Sequence, residues 1–316
     1  MTPAHPVGTD SNSSTASALT GFAFAGEPLD RADKLRDDPD TLFRLWPGAR
    51  VIVLTREGEA FADTAGQLAA PTGEALGGGP GTAIFLGLRG ETAWFAVEAD
   101  SVPFEAAQRV DLRRAAAVWP AFEAGVFALA RAMFYWRSRN RFCGLCGGEV
   151  EFRRAGYQGR CLQCDADHYP RVDPAVIVAV SDGERLLLGR QSSWPARRYS
   201  VIAGFVEPGE TLEQTVAREV LEETGVRVRG CRYLGAQPWP FPGALMLGFA
   251  ADAEPDVPRV DDELEDARWF TFDEIDAARE RREGDGDEGL LLSPRISIAR
   301  SLIDHWHAGM LARRRG

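Results

Sequence analysis

Hydrophobic positions in the first 140 residues change from a strand pattern to a helix pattern. Residues 50–55 and 83–97 are rich in β-branched and aromatic side chains, and Arg89-Gly90-Glu91 interrupts the second run as a hairpin turn would. After Pro120, hydrophobic residues recur every three to four positions, which predicts a helix with a buried face. We therefore predict a small strand-rich N-terminal domain with a linking helix over residues 21–138.

The hydrophobic pattern of the second half predicts strands that alternate with a few helices. A strand-like run from Asp173, a turn at residues 181–184 and the run at residues 185–190 together predict a hairpin. Further strand-like runs follow at residues 199–205 and 244–250, and a closing helix is expected near residues 297–306. This order favours the α+β or mixed α/β class for a second domain over residues 171–316.

Residues 211–225 predict a helix with one acidic face. Thr211 and Gln214 have the spacing of a capping box, and Gly225 suits the left-handed residue that ends a helix. At about 100° per residue, three carboxylates share one arc while four apolar residues form the packing face. The carboxylates are Glu219, Glu222 and Glu223, and the apolar residues are Val216, Ala217, Val220 and Leu221. A solvated helix face is the plain alternative, but closely spaced carboxylates also suit Mg²⁺ or Mn²⁺.

Four of the five cysteines form two pairs, Cys143/Cys146 and Cys161/Cys164, each with a gap of two residues. In an intracellular chain this pattern favours metal over disulfides, and each pair would supply two thiolates to one tetrahedral Zn²⁺. Four protein ligands close the coordination sphere, so the zinc would be structural. Redox dithiols and unligated thiols are the alternatives. We predict a zinc ribbon over residues 139–170.

Composition and charge limit the cellular compartments and the classes of binding partner that we expect for this chain. Residues 1–20 are rich in Ser, Thr, Pro and Gly and lack the pattern of a secretory signal, so we expect a disordered leader. No run approaches the ~18 apolar residues of a membrane span, which makes a soluble, cytoplasmic protein the expectation. A net charge of −11 argues against non-specific attachment to nucleic acid.

The segment from Gly204 to Val226 fits Gly-x5-Glu-x7-Arg-Glu-aliphatic-x-Glu-Glu-x-Gly-aliphatic at every position and thereby resembles the signature of the Nudix hydrolases. The resemblance implies an α/β/α sandwich and hydrolysis of a nucleoside diphosphate linked to another group, with the help of divalent metal ions. It implies that Glu219, Glu222 and Glu223 bind the metal and that Glu223 or Glu222 is the base, of which we favour Glu223. We expect Arg218 to pair with Glu210.

The string Gln237-Pro-Trp239-Pro-Phe241-Pro242 narrows the resemblance to the NADH pyrophosphatases, although taken alone it could be a stiff loop with buried aromatic rings. Ala244 stands where those enzymes usually have Ser. The cysteine pairs also resemble their zinc ribbon. The resemblance implies substrate contacts by Gln237, Trp239 and Phe241, stacking by Tyr169 and Phe205, a further metal carboxylate at Glu263, and a backbone contact near Ile298 and Ala299.

These features support divalent-metal-dependent hydrolysis of NADH and NAD⁺ to nicotinamide mononucleotide and AMP. Removal of NAD caps from RNA breaks the same bond and is a second expectation from the resemblance, as is a homodimer. A generic Nudix hydrolase of ADP-ribose or dinucleoside polyphosphates is one alternative. A zinc-ribbon regulator that only senses a nucleotide is another, although such a sensor would not need the complete set of carboxylates.

Overall fold

Three separate sheets form the framework of the fold, and each lies in one of the three regions that the sequence pattern distinguishes. The computed structural model describes residues 19–261, 263–282, 284 and 288–315. Residues 1–18 of the expected leader lie outside the described residues. Leu19, within its expected span, is buried against the C-terminal helix. Among the described residues, no helix is long and apolar enough to cross a membrane.

The N-terminal domain contains a five-stranded mixed sheet and four helices. Its elements are α1 (Pro39–Leu45), β1 (Arg50–Leu54), β2 (Ala60–Ala62), α2 (Gly73–Leu76), β3 (Ile84–Arg89), β4 (Thr92–Glu98), β5 (Gln108–Val110), α3 (Leu112–Val118) and α4 (Ala121–Arg139). The strand order is β3-β4-β1-β2-β5, in which only β1 and β4 are parallel. The predicted hairpin at residues 89–91 and the predicted helix after Pro120 are both confirmed.

The cysteine-containing region forms a small antiparallel sheet of three strands. These are β6 (Val150–Arg153), β7 (Gln158–Cys161) and β8 (Asp167–His168), in the order β6-β7-β8. So small a sheet has little apolar interior, which is why such ribbons depend on a metal for their stability.

The C-terminal domain is built on a six-stranded mixed sheet. Its elements are β9 (Asp173–Ser181), β10 (Arg185–Arg190), β11 (Ile202–Phe205), α5 (Leu212–Thr224), β12 (Val228–Trp239), β13 (Ala244–Ala253), β14 (Asp266–Thr271), α6 (Phe272–Ala278) and α7 (Ile298–Arg315). The order is β12-β13-β9-β10-β14, with β11 paired to β9. Strands β9 and β13 are parallel, and the other pairs are antiparallel.

The two faces of this sheet are covered by different helices because side chains alternate along the central strand. Val176 and Val178 of β9 pack with Val216 and Val220 of α5 in one core. Ile177, between those two valines, belongs to a second core that also contains the apolar face of α7. The result is an α/β/α sandwich, as the fold-class prediction required.

Two details differ from the prediction. Leu221 was predicted to lie on the packing face of α5, but it is 50% exposed. It lies at the edge of the helix face that packs against the sheet. The closing helix continues to Arg315 and is therefore longer than the expected span to Trp306. Its last turn is rich in arginine, which interacts favourably with the negative end of the helix dipole.

Candidate active site

The acidic helix α5 is delimited by its own sequence. The Thr211 hydroxyl accepts a hydrogen bond from the Gln214 backbone N–H, and the Gln214 side chain accepts one from the Thr211 N–H. Gly225 ends the helix with φ at +68°, in the left-handed region that glycine occupies without strain. Both predicted ends of the helix are confirmed.

Arg218 fixes the loop before α5 to the acidic face of the helix. Its Nε donates to Glu210 Oε1 at 2.6 Å, and its Nη2 donates to Glu210 Oε2 and to the Phe205 carbonyl oxygen, both at 2.9 Å. The expected pairing with Glu210 is thus present. The hydrogen bonds from Arg218 lower the pKa of Glu210 to about 2 and raise that of Arg218.

The same guanidinium touches two of the predicted metal ligands. Arg218 Nη1 lies 3.0 Å from a carboxylate oxygen of Glu219 and 3.0 Å from one of Glu222. Arg218 therefore holds one side of the carboxylate cluster and partly offsets its negative charge.

Glu219 is nearly buried and lies directly against the backbone of β11. A Cβ atom on Gly204 would overlap the Glu219 carboxyl group, so this position admits only glycine if Glu219 is to keep its place. Burial raises the pKa of Glu219, and the hydrogen bond from Arg218 opposes that shift. The first glycine of the signature is explained by this close approach.

Glu223 is the most isolated carboxylate of the cluster. Only 6% of the residue is exposed, and among the described residues its side chain has no hydrogen-bond or ion-pair partner. Burial raises its pKa to about 8, and the charges of Glu263, Glu219 and Glu222 raise it in the same direction. Glu222 and Glu263, by contrast, are exposed. Two carboxylates buried in this way are stable as anions only beside a cation.

The donor set therefore suits a divalent cation with oxygen ligands such as Mg²⁺ or Mn²⁺. Within the described residues, only the four cysteines form a group of three or more potential ligands whose donor atoms all lie within 4.8 Å of one another. The glutamates are spaced more widely. Like-charged carboxylates repel one another, and Arg218 holds Glu219 and Glu222 on one side of the cluster.

A cleft of about 180 Å³ opens beside Glu223. It is lined by residues from six separate parts of the chain, among them Gln191, Trp194, Glu223, Trp239, Met246 and Ala299. Of the predicted site residues, the structure brings Glu223, Trp239 and Ala299 together here. Sequence reasoning missed Gln191, Trp194 and Met246. For Trp194, the available signal was a large ring in an otherwise polar loop after β10.

Tyr169 and Phe205 do not line this cleft. Their rings are 46% and 59% exposed, which is unusual for large aromatic side chains and leaves one face of each free for stacking. Phe205 is anchored through its backbone, since its carbonyl oxygen accepts from Arg218 and it pairs with Ala175 in the sheet. A role in substrate binding for either ring stays a prediction.

Gln237 is fully buried, and both the nitrogen and the oxygen of its side-chain amide form hydrogen bonds with backbone groups. Its Nε2 donates to the carbonyl oxygens of Ala23 and Ile296 at 2.9 and 2.8 Å, while its Oε1 accepts from the Ile298 N–H at 2.8 Å. The structure does not place this side chain in the cleft as a ligand. The expected substrate contact of Gln237 stays a prediction, and the contacts that the structure shows fix the start of α7 beside Ala299.

Trp239 and Phe241 lie where the two larger domains meet. Their ring centroids are 5.0 Å apart, and each is 6.3 Å from the ring of Phe24. The guanidinium of Arg113 lies 4.2 Å from the centre of the Phe241 ring. Trp239 also reaches the cleft, whereas Phe241 does not line it and packs against the N-terminal core. The sequence alone could not separate these two roles.

The four cysteines converge as a zinc site requires. The Sγ atoms of Cys143 and Cys164 are 3.7 Å apart, and those of Cys146 and Cys161 are 3.5 Å apart. Thiolates at about 2.3 Å from one tetrahedral Zn²⁺ would be separated by roughly 3.8 Å, so the geometry fits. The backbone N–H of Cys164 donates to Cys161 Sγ, which lowers the pKa of that thiol to about 6 and favours the thiolate that zinc binds.

Comparison with known proteins gives matches in all three regions. The NUDIX domain family matches residues 171–288, the NADH pyrophosphatase zinc ribbon domain matches residues 138–169, and the NADH pyrophosphatase-like rudimentary NUDIX domain matches residues 48–136. The N-terminal sheet is therefore related to a Nudix domain, which its sequence had not indicated.

Similar proteins cover nearly the whole chain. The NAD-capped RNA hydrolase NudC of Mycobacterium bovis is 38% identical over 289 residues, which is 88% of this chain and 92% of that protein. The human NAD-capped RNA hydrolase NUDT12 is 42% identical over 196 residues, 58% of this chain and 42% of that protein. A solved NUDIX hydrolase from Nitrosomonas europaea is 28% identical and covers 42% of this chain and 77% of its own, with a TM-score of 0.37. The chain belongs to the Nudix hydrolases, in the family of the NADH pyrophosphatases and NAD-capped RNA hydrolases.

Proposed function

We propose that this protein hydrolyses the pyrophosphate of NADH and NAD⁺ to nicotinamide mononucleotide and AMP, and that it removes NAD caps from RNA by cutting the same bond. The observation that carries the proposal is the position of the cleft. Glu223, a buried carboxylate without a partner among the described residues, forms one wall beside the aromatic side chains of Trp194 and Trp239. A charged reaction centre thus adjoins a surface suited to a flat ring.

Glu219, Glu222, Glu223 and Glu263 are the residues that would hold Mg²⁺ or Mn²⁺. Bound there, the cations supply charge neutralisation of the pyrophosphate and a lowered pKa of the attacking water. We assign Glu223 the role of base. Burial raises its pKa to about 8, so this carboxylate holds a proton more strongly than an exposed glutamate does, which supports the assignment. A bound cation would favour its anionic form, in which it can accept a proton.

Arg218 positions this base indirectly. It holds Glu210, Glu219 and the Phe205 carbonyl in one network, which ties the end of β11 and the loop after it to α5. We assign it no contact with the substrate. Its contribution is to keep the carboxylates in place before a cation binds.

The size of the cleft indicates how a dinucleotide would lie. A volume of about 180 Å³ is below the ~300–1,000 Å³ of typical ligand sites, so it accommodates one ring system and not a whole dinucleotide. The other half of the substrate must extend along the surface, where the exposed rings of Tyr169 and Phe205 would stack on it. A substrate end that stays outside the cleft leaves room for an attached RNA chain, which supports cap removal as a second activity.

Ala244 supports keeping ADP-ribose as an alternative substrate. It is the first residue of β13 and pairs with Trp239, so its methyl group stands next to the cleft wall where a serine would place a hydroxyl. A methyl group cannot hydrogen-bond to the substrate, which would weaken discrimination for the nicotinamide half.

A substrate panel tests the proposal. Purified protein with Mg²⁺ or Mn²⁺ is offered NADH, NAD⁺, ADP-ribose and NAD-capped RNA, and products are separated by chromatography. We expect AMP from NADH and NAD⁺ and a monophosphate 5′ end from the capped RNA. Cleavage of ADP-ribose alone would replace the proposal with a generic Nudix activity, and binding without cleavage of any substrate would support a sensor.

A homodimer and a cytoplasmic location complete the proposal. Light scattering on the purified chain measures its mass directly and thereby tests the homodimer.

A further inference from the structure

A second and larger cleft lies in the N-terminal domain, apart from the carboxylates of α5. It occupies about 640 Å³ between the end of β1 with the turn that follows and one face of α4. We call it the arginine cleft, defined by residues 54–58, by the α4 face from Arg131 to Ser138 and by Arg141, which follows α4. Its volume falls within the range of small-molecule sites.

The walls of the arginine cleft are positively charged on an acidic protein. Four arginines line it against two glutamates, while the whole chain has a net charge of −11. The arginines are Arg56, Arg131, Arg137 and Arg141, and the glutamates are Glu57 and Glu98. A local excess of arginine in an otherwise negative chain needs a specific cause.

Two of these arginines are partly buried, and neither makes a direct ion pair among the described residues. Arg137 Nη1 donates to the Thr82 carbonyl oxygen at 3.0 Å, and Arg131 donates to the Pro240 carbonyl oxygen. Neither side chain has a carboxylate within ion-pair distance among the described residues. Burial lowers the pKa of both groups, and the charges of Glu98 and Asp111 oppose that shift at Arg137 and Arg131 respectively. Each guanidinium also lies over an aromatic ring, Arg137 over Phe152 and Arg131 over Phe241, but neither makes a direct ion pair.

The rim of the cleft adds a free cation and an aromatic ring. Arg141 is exposed, and within the described part of the chain its side chain has no partner. The ring of Tyr135 is 37% exposed at the same rim. An arginine fork recognises a phosphate with two parallel hydrogen bonds, and a flat ring recognises a base by stacking.

We propose that the arginine cleft binds a nucleoside phosphate, with the phosphate at Arg137 and Arg141 and the base against Tyr135. The phosphate would supply the direct ion pair that the partly buried arginines do not make within the described residues. Such a ligand has two sources, a free mononucleotide or a nucleotide within an RNA chain. The site is separate from the catalytic cleft, since none of the four carboxylates lines it.

Calorimetric titration of the full chain without added Mg²⁺ or Mn²⁺ tests this. The probes are AMP, ribose 5-phosphate and a short single-stranded RNA with a 5′-hydroxyl. We expect Arg141→Gln and Arg137→Gln each to weaken binding about tenfold, the effect of removing one charge-assisted hydrogen bond. Arg114→Gln, which removes an exposed arginine on α3 outside the cleft, is the matched control and should bind as the unmodified protein does.

Tyr135→Leu separates the two halves of the site. It should weaken AMP binding and leave ribose 5-phosphate unaffected, because only AMP has a base to stack. Arginine-dependent binding of AMP supports a free nucleotide as the ligand, and arginine-dependent binding of the RNA alone supports a nucleotide within a strand. Absence of binding by all three probes, or binding that Arg141→Gln leaves unchanged, overturns the proposal. Arg141 is exposed and unpartnered among the described residues, so its replacement leaves the fold intact even if Arg137→Gln does not.

Discussion

At the scale of single residues, the candidate site depends on contacts that spacing in the sequence does not reveal. The signature predicted which glutamates would share a helix face, and the structure places them there. It did not predict that Gly204 is needed because Glu219 packs on it, nor that Glu223 would lack a partner among the described residues. The positions of side chains around a helix can be computed from their spacing in the sequence. The contact of Glu219 with Gly204 and the isolation of Glu223 depend instead on how other parts of the chain pack against α5.

Gly204→Ala tests the close approach. The added methyl group must displace the Glu219 carboxylate, so we expect turnover of NADH to fall at least tenfold while the protein stays folded. Steady-state kinetics with a circular dichroism spectrum measures both. Gly230→Ala is the control, because a Cβ there meets no atom within 4 Å. Equal activity of the two variants would show that Glu219 need not lie where the structure has it.

The raised pKa of Glu223 predicts how stability depends on pH without added Mg²⁺ or Mn²⁺. A carboxyl group near 4.5 when unfolded and about 8 when folded binds more protons in the folded state between those values. The contribution of this group to the free energy of unfolding is therefore fully present below pH 4.5 and is lost as the pH rises through about 8. We expect Mg²⁺ to raise the melting temperature more at about pH 8.5 than at about pH 6. Calorimetry that finds the same Mg²⁺ effect at both pH values in the unmodified protein, or the full difference in Glu223→Gln, contradicts the assignment.

At the scale of elements, the helices and hairpins with local signals were predicted well. The capping box of α5, the helix after Pro120 and the two hairpin turns follow from residues within a few positions of each other. The contacts of the Gln237 string were not predictable, because its partners lie at Ala23 and Ile296. A resemblance assigned it to the substrate, and only the fold shows that it organises the start of α7.

Gln237→Leu distinguishes positioning from substrate contact. The change leaves two carbonyl groups and one N–H without their buried partner, so we expect the free energy of unfolding to fall by ~2–4 kcal/mol. Urea denaturation measures it. A direct contact would instead give unchanged stability with a raised KM for NADH.

The ribbon should behave as a structural element. We expect zinc in the purified protein by elemental analysis and its loss in Cys164→Ser, together with a lower melting temperature. Cys231→Ser is the matched control, because Cys231 lies outside the four-cysteine cluster. Full zinc content in Cys164→Ser would exclude the four-thiolate site.

At the scale of the whole molecule, the N-terminal and C-terminal domains meet around one short string, residues 237–242. Trp239 reaches the catalytic cleft, Phe241 packs on the N-terminal core, and Arg131 of α4 donates to the Pro240 carbonyl between them. The division at residues 138/139 and 170/171 stays a prediction. The relation of the N-terminal sheet to a Nudix domain could not be predicted from the sequence. Residues 48–136 contain no counterpart of the acidic helix by which a Nudix domain is recognised.

The central claim is that Glu223 accepts the proton of the attacking water. Its most direct test is the rate of AMP release from NADH with Mn²⁺ in the unmodified protein, in Glu223→Gln and in Glu213→Gln, an exposed glutamate of the same helix. Loss of a general base typically costs about 10²- to 10⁴-fold, so Glu223→Gln should be at least ~100-fold slower while Glu213→Gln keeps its rate. A Glu223→Gln protein that releases AMP at the unmodified rate would contradict the account.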